Sequence, residues 1–249
     1  MSGHSKWSTI KHKKAATDKK RGKIFTQLTK ELTIAAREGG GGDPSFNTRL
    51  ALAMDKAKAN NMPKDNIDRA IKRGTGELEG AELFELMYEA YAPNGVGLLI
   101  EVVTDNKNRA VADLRHALSK NGGNMAEGGA VAWQFTRKGY IAVGGDVDQD
   151  ELFLVAADAG AEDIQFSEMA EVYTELENFQ AVREAIKDAG MEVEEASMVY
   201  EPNNAIELTE TEALQVMRLI EIIEDLDDVQ NVYSTLEISD EAIAAMEAA

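Results

Sequence analysis

The stretch Asp158-Ala159-Gly160-Ala161-Glu162 recurs 30 residues later as Asp188-Ala189-Gly190-Met191-Glu192. Each copy ends an apolar periodic segment, and its glycine suits the left-handed residue that follows a helix. Both copies are therefore predicted to close a helix. Four predicted strands flank these helices: Tyr140–Val143, Ile164–Phe166, Glu171–Thr174 and Ala196–Tyr200. The resulting order, β-α-β-β-α-β, is that of a split βαβ, ferredoxin-like domain.

The residues on either side of this repeat predict a second domain of the same kind. A turn at Pro93-Asn94-Gly95 separates two apolar segments, and Asn106 is a predicted helix N-cap. The predicted elements are strands at 83–92, 96–104, 131–136, 206–208 and 232–238, and helices at about 106–122 and 211–226. The β-α-β unit of 96–136 and that of 206–238 complete one domain, so residues 139–200 are predicted to be an insertion.

The N-terminal part of the chain predicts three helices. Phe25, Leu28, Leu32 and Ala35 recur at helical spacing within a first helix of about 17–38. Glycines end that helix, and a second one is expected to begin after Pro44 and to run to about Ala59. A third is expected to begin at Pro63, which suits the first helical position.

These patterns together predict an α+β protein with an N-terminal three-helix domain and two split βαβ domains, one inserted in the other. Residues 1–16 are polar, basic and aperiodic, and we call them the arm. The expected boundaries are 1–78 for the basic helical domain with this arm, 79–137 plus 203–249 for an α/β domain, and 138–202 for the inserted α/β domain.

Charge is distributed very unevenly along the chain. Residues 1–75 carry 17 Lys and Arg against 7 Asp and Glu, whereas the remaining residues carry 9 against 38. An acidic protein of net charge −19 thus concentrates its positive charge at one end. This asymmetry indicates that the N-terminal part contacts a polyanion, most simply nucleic acid.

The candidate nucleic-acid-binding residues fall in two clusters. Cations that neutralise phosphates release condensed counterions, and aromatic rings stack on unpaired bases. The first cluster is the arm and the start of the first helix: Lys6, Trp7, Lys11, His12, Lys13, Lys14, Lys19, Lys20, Arg21 and Lys23. The second is on the third helix: Lys64, Arg69, Lys72 and Arg73. For this second cluster, stabilisation of the helix dipole explains the placement of Lys72 and Arg73 equally well.

Patterns typical of catalysis or metal binding are not found. The chain has no cysteine, and its histidines are His4, His12 and His116, with no i, i+4 pair. The Gly39–Gly42 run lacks the Lys-Ser/Thr of a phosphate-binding loop. We therefore expect no enzymatic activity, no metal, no cofactor and no small-molecule substrate. A small-molecule sensor stays a weaker alternative, because no convergent polar set in 139–200 supports it.

Two further features bear on location and on a second candidate surface. No apolar run approaches the roughly 20 residues that span a bilayer, and the N-terminus lacks a signal-peptide core, so we expect a cytoplasmic protein without membrane contacts.

The pairs Gly122-Gly123 and Gly128-Gly129 bracket Asn124–Glu127. This loop is either a functional surface or a permissive turn.

Several motifs resemble the YebC/PmpR family. They are Ser2–Ser8, Ile10–Ala16, Lys20–Phe25, Asn61–Ile67, Tyr88–Pro93, Asn121–Ala126 and Val131–Phe135. The resemblance covers essentially the whole chain and is most specific over residues 2–136. It implies a three-domain protein, with a helical domain and two α/β domains, one inserted in the other. It offers no catalytic residues.

The resemblance implies two competing functions. Bacterial members of the family are usually described as probable transcriptional regulators that bind DNA, so regulation of transcription is the first hypothesis. The alternative is a translation factor that binds rRNA at the ribosome and relieves stalling, since a related mitochondrial member activates translation. The sequence does not distinguish a DNA target from an RNA target, and it defines neither the target sequence nor the oligomeric state.

Overall fold

The computed structural model describes residues 18–145, 147–166, 169–239 and 242. Within these ranges the chain forms seven α-helices and two four-stranded sheets. The protein is therefore α+β, as the sequence predicts, and three helices precede the first strand. No described helix is both long enough and apolar enough to cross a bilayer.

The first three helices share one apolar core. They are α1 (Asp18–Glu38), α2 (Thr48–Ala59) and α3 (Lys64–Gly74). The core side chains include Leu28 and Leu32 of α1, which the helical period of the sequence places on one face, together with Leu50 of α2 and Ile67 of α3. Asn61, with φ of 55°, ends the turn between α2 and α3 in the left-handed region that asparagine tolerates.

Asn47 defines the start of the second helix, which lies after Pro44 as the sequence predicts. The helix begins at Thr48, because the Asn47 side chain accepts a hydrogen bond from the backbone N–H of Leu50 at 2.9 Å. The Asn47 amide also donates to the carbonyl of Ala35 at 2.8 Å. A side chain at Gly39 would overlap this amide, so glycine is required there by close packing.

The second group of elements forms an antiparallel sheet with two helices on one face. Its strands are β1 (Phe84–Tyr91), β2 (Gly97–Thr104), β3 (Asn124–Met125) and β8 (Val229–Ser234), and its helices are α4 (Lys107–Lys120) and α7 (Glu210–Glu224). The strand order is β3-β1-β2-β8. Since β1 lies between β2 and β3, the β2-α4-β3 unit is a split βαβ.

Strand β2 is buried on both faces. Leu98, Ile100 and Val102 contribute to the core with α4 and α7, while Leu99 and Val103 on the other face are also buried. Val103 lies opposite Glu85 of β1, and Glu85 accepts a hydrogen bond from Arg49 of α2 at 3.0 Å. The second face of the sheet is therefore covered by the helical region, which explains the nearly continuous apolar run in β2.

Two predicted strands of this domain were wrong. Val131–Thr136 is not one strand: residues 132–134 form a short 3₁₀ turn, and Phe135 begins a strand of the inserted unit. Residues 206–208 form only an isolated parallel bridge between Ile206 and Leu236. The outer strand is instead the two-residue β3, which pairs with Ala90 and Tyr91 of β1.

The repeat region forms a sheet of its own. Its elements are β4 (Phe135–Gly144), α5 (Gln149–Asp158), β5 (Ala161–Phe166), β6 (Ala170–Thr174), α6 (Phe179–Asp188) and β7 (Glu192–Pro202). The order β5-β6-β4-β7 is that of a ferredoxin-like sheet. Gly160 and Gly190 both have positive φ just after a helix, which confirms that each copy of the repeat closes a helix.

The chain divides into two compact units. One comprises residues 1–134 and 202–249, and the other comprises 135–201. The chain thus leaves the first unit after Gln134 and returns to it at Pro202. The finer division into three domains, with a separate helical domain, stays a prediction.

Candidate nucleic-acid interface

The arm residues of the first predicted cluster lie outside the described part of the chain. These are Lys6, Trp7, Lys11, His12, Lys13 and Lys14. Lys19 and Lys20 lie in the first turn of α1. Their role in binding stays a prediction.

Helix α3 presents the second predicted cluster to solvent. It buries Ile67 and Ala70 against the helical core and leaves Lys64, Lys72 and Arg73 exposed. No described acidic side chain forms an ion pair with these three cations. They are therefore free to approach a phosphate, although Asp65 and Asp68 share the exposed surface of the helix.

Arg69 differs from the other cations of α3. Its guanidinium donates to the backbone carbonyl of Asp65 at 3.0 Å and to the side-chain oxygen of Asn66. Both partners belong to the same helix, so Arg69 also stabilises the first turn of α3. A phosphate contact by Arg69 would add to these bonds or replace them.

The two described cations of the first cluster face different surroundings. Arg21 is exposed and has no ion-pair partner among the described side chains. Lys23 is half-buried, and its Nζ donates to the carbonyl of Glu224 at 2.7 Å and to Oδ1 of Asp225 at 3.1 Å. Lys23 thus binds α1 to the end of α7.

A set of contacts continues this attachment along α1. Gln27 donates to the carbonyl of Val229 at 2.7 Å, and Lys30 donates to Oδ1 of Asp228 at 2.7 Å. Arg109 of α4 also donates to Asp228, from Nε at 3.1 Å and from Nη2 at 2.9 Å to Oδ2. We call Lys23, Gln27, Lys30, Arg109 and Asp228 the α1 clamp.

The Asp228 carboxylate is the centre of the α1 clamp. Burial by itself would raise the pKa of Asp228, but hydrogen bonds from Lys30 and Arg109 outweigh it and lower that pKa below the ordinary value. The carboxylate is therefore ionised at neutral pH and holds both cations. Part of the positive charge near the N-terminus consequently serves internal packing, which charge counting alone did not reveal.

A groove of about 660 Å³ runs beside α1. Its walls include Lys30, Arg37 and Arg73, but the segment after α3 adds Glu79 and Glu82. Arg37 is also paired with Glu38 at 2.8 Å. The groove is therefore not a uniformly cationic channel, and the exposed faces of α1 and α3 fit a phosphate chain better.

The glycine-bracketed loop, the second candidate surface, is organised by Glu89. This buried carboxylate of β1 accepts hydrogen bonds from the backbone N–H groups of Gly129, Val131 and Ala132 at 2.6, 2.5 and 2.8 Å. Burial would raise the pKa of Glu89, but these three bonds lower it. The loop is thus built around a fixed negative charge and is more than a permissive turn.

Trp133 is presented by the same loop. Its side chain is 70% exposed, and its indole N–H donates to the carbonyl of Ala130 at 3.0 Å. Asn203 donates to the carbonyl of Trp133 at 3.1 Å and fixes the other side of the turn. Sequence reasoning placed Trp133 in a strand and did not identify it as a surface residue, because no local signal reveals the bonds to Glu89.

Metal binding receives no support from the described side chains. Among them, no three His, Asp or Glu residues are grouped closely enough to hold a metal ion.

Two family models together match most of the chain. The model for the TACO1/YebC protein N-terminal domain matches residues 5–77, and that for the TACO1/YebC second and third domain matches residues 83–236. The boundary between the two matches falls in the glutamate- and glycine-containing segment after α3.

Similar proteins are found over the full length of the chain. A protein of Desulfatibacillum aliphaticivorans is 55% identical over 245 residues, which cover 98% of this chain and 99% of that protein. One from Acidithiobacillus ferrooxidans is 54% identical over 249 residues, covering 100% and 99%. Both are named "Probable transcriptional regulatory protein".

A solved structure is similar to this chain over most of its length. The crystal structure of a conserved hypothetical protein from Aquifex aeolicus matches with a TM-score of 0.82 and 42% sequence identity. The match covers 90% of this chain and 93% of that chain.

Proposed function

Because this chain belongs to the TACO1/YebC family, we propose that it is a nucleic-acid-binding regulator of transcription that contacts DNA through its basic N-terminal region. Its full-length relatives carry the name of a transcriptional regulatory protein, which supports the regulatory part of the proposal.

The observation that carries the proposal is the contrast between paired and unpaired cations. Lys23 and Lys30 donate to the end of α7 and the loop after it, whereas Arg21, Lys64, Lys72 and Arg73 are exposed without a described acidic partner. Paired lysines position α1, and exposed cations stay available for phosphates. In the proposed complex the arm residues and the exposed cations of α1 and α3 bind the phosphate backbone.

The remainder of the chain limits how the nucleic acid lies. Residues 76–249 carry 38 Asp and Glu against 9 Lys and Arg, so a long duplex would be repelled along that surface. Contact is therefore confined to the basic end. In this proposal the acidic part of the chain has another role.

The experiment that tests the proposal is ultraviolet cross-linking of the full-length protein in cells, followed by identification of the attached peptide and nucleic acid. The proposal expects cross-linked peptides within residues 1–75 and attached DNA. Attached ribosomal RNA, with co-sedimentation with ribosomes at moderate salt, would replace it with the translation-factor alternative. Cross-links only in residues 76–249 would refute the basic interface for either nucleic acid.

A further inference from the structure

Helix α5 of the inserted unit has an apolar surface that faces outward. Leu152 and Ala156 are fully buried, whereas Phe153 is 55% exposed and Leu154 is 63% exposed. At 100° per residue, the outward direction of this helix falls between Phe153 and Leu154, and the exposed Ala157 lies between them. We call the exposed parts of Phe153, Leu154 and Ala157 the α5 patch.

The helix is already held in place by contacts other than those of Phe153 and Leu154. Asp148 caps α5 by accepting hydrogen bonds from the backbone N–H groups of Asp150 and Glu151 at 3.0 and 3.1 Å. Leu152 and Ala156 already anchor the helix to the core of the unit. More than half of Phe153 and of Leu154 nevertheless faces solvent, and two adjacent large apolar side chains exposed in this way favour a binding role.

The surroundings of the α5 patch are strongly acidic. Asp150, Glu151 and Asp158 are exposed on the same helix. Residues 135–201 as a whole carry 17 Asp and Glu against 4 Lys and Arg, a net charge of −13. Such a surface repels both nucleic acid and anionic lipid, and it attracts cations.

We infer that the α5 patch is a docking site for a Lys- and Arg-rich protein segment that brings apolar side chains onto Phe153 and Leu154. The acidic residues around the patch steer the basic segment, and the apolar side chains give the contact its core. The site is independent of the nucleic-acid interface proposed above. It gives the acidic unit a partner whose charge is opposite to that of the nucleic acid's phosphates.

The direct test measures binding of a fluorescently labelled amphipathic peptide of Lys and Leu to the full-length protein by anisotropy. The double variant Phe153→Ser, Leu154→Ser is expected to bind this peptide at least about tenfold more weakly at moderate salt. The matched control is Phe46→Ser, which removes a Phe that is 87% exposed outside the inserted unit and should leave the affinity unchanged. Unchanged melting temperature and circular dichroism of the double variant establish that it is folded.

Three results would overturn the inference. The double variant and the Phe46 control could bind the peptide equally. A peptide with Glu in place of Lys could bind as tightly as the original. Sedimentation could show that the protein alone self-associates and that the double variant does not, in which case the occupant of the patch is a second copy of this chain.

Discussion

The Nζ atom of Lys30 lies 2.7 Å from Oδ1 of Asp228, although the two residues are 198 positions apart in the chain. Both side chains are largely shielded from solvent, and Arg109 shares the same carboxylate. This contact attaches a helix of the basic region to the entrance of strand β8. Within α1, Lys30 therefore holds the helix in place, whereas Arg21 stays exposed to solvent.

Replacement of Asp228 with asparagine should destabilise the protein by about 3 kcal/mol, because it leaves Lys30 and Arg109 without their shared charge. Urea denaturation of the full-length variant measures this change. The matched control is Asp225→Asn, which removes the more exposed partner of Lys23 and should cost less than about 1 kcal/mol. Equal costs for the two variants would contradict the central position of Asp228 in the α1 clamp.

The stability difference between the wild type and Asp228→Asn is also expected to depend on pH. The pKa of Asp228 is lower in the folded protein than its ordinary value. The stabilisation that Asp228 gives to the folded protein is therefore fully present at a pH above the ordinary pKa, and it is lost as the pH falls through the folded pKa. The free energies of unfolding of the wild type and of Asp228→Asn should therefore converge in acid. Denaturation from neutral pH down to about pH 3 tests this. A difference that grows in acid would give the opposite sign and refute the assignment.

Glu89→Gln should loosen the loop that presents Trp133. A glutamine has one acceptor oxygen and an amide that faces N–H donors, so at least one of three backbone bonds is lost, at a cost of about 3 kcal/mol. Hydrogen exchange at Gly129, Val131 and Ala132 should become faster. Glu127→Gln, an exposed change in the same loop, is the control, and equal exchange in both variants would show that Glu89 does not hold the loop.

The exposed cations of α3 should contribute to nucleic-acid affinity through charge. Lys72→Ala with Arg73→Ala should weaken binding to a DNA duplex and reduce the slope of log K against log salt by about two. The matched control, Lys58→Ala with Lys187→Ala, removes the same charge from exposed sites elsewhere. If the two double variants bind alike, the effect is one of net charge and the α3 surface is not an interface.

The fold follows from local patterns to a large extent. The spacing of Leu28 and Leu32 predicted α1 because a helix with one buried face has a period that the sequence displays directly. The glycines Gly160 and Gly190 predicted where α5 and α6 end, because a residue after a helix often needs positive φ. Strand order in the inserted unit then followed from the sequence of elements.

The errors arise where distant contacts override local preference. Val131, Trp133 and Phe135 suit a strand by composition, but three bonds to Glu89 hold the first part of that segment in a turn. The exposure of Phe153 and Leu154 was likewise not predicted, because an apolar pair in a helix suits a core equally well. Only the positions of Leu152 and Ala156 show which side is buried.

The sequence predicted that the candidate interface is positively charged, but it did not predict which cations are exposed to form it. Charge counting located the positive end of the chain without showing that Lys23 and Lys30 are directed toward the end of α7 and the loop after it. The local sequence around a helical lysine is the same whether its side chain faces solvent or an aspartate that lies some 200 residues away in the chain. Only the tertiary structure therefore distinguishes the cations of the α1 clamp from those of the candidate interface.

The most direct measurement of the central claim is the salt dependence of nucleic-acid binding by the full-length protein and its variant Lys11→Ala, Lys13→Ala, Lys14→Ala. These lysines belong to the basic arm, outside the described residues. The account predicts weaker binding of the triple variant and a slope of log K against log salt that is smaller by about three. Unchanged affinity and unchanged slope, with DNA and with RNA, would contradict it.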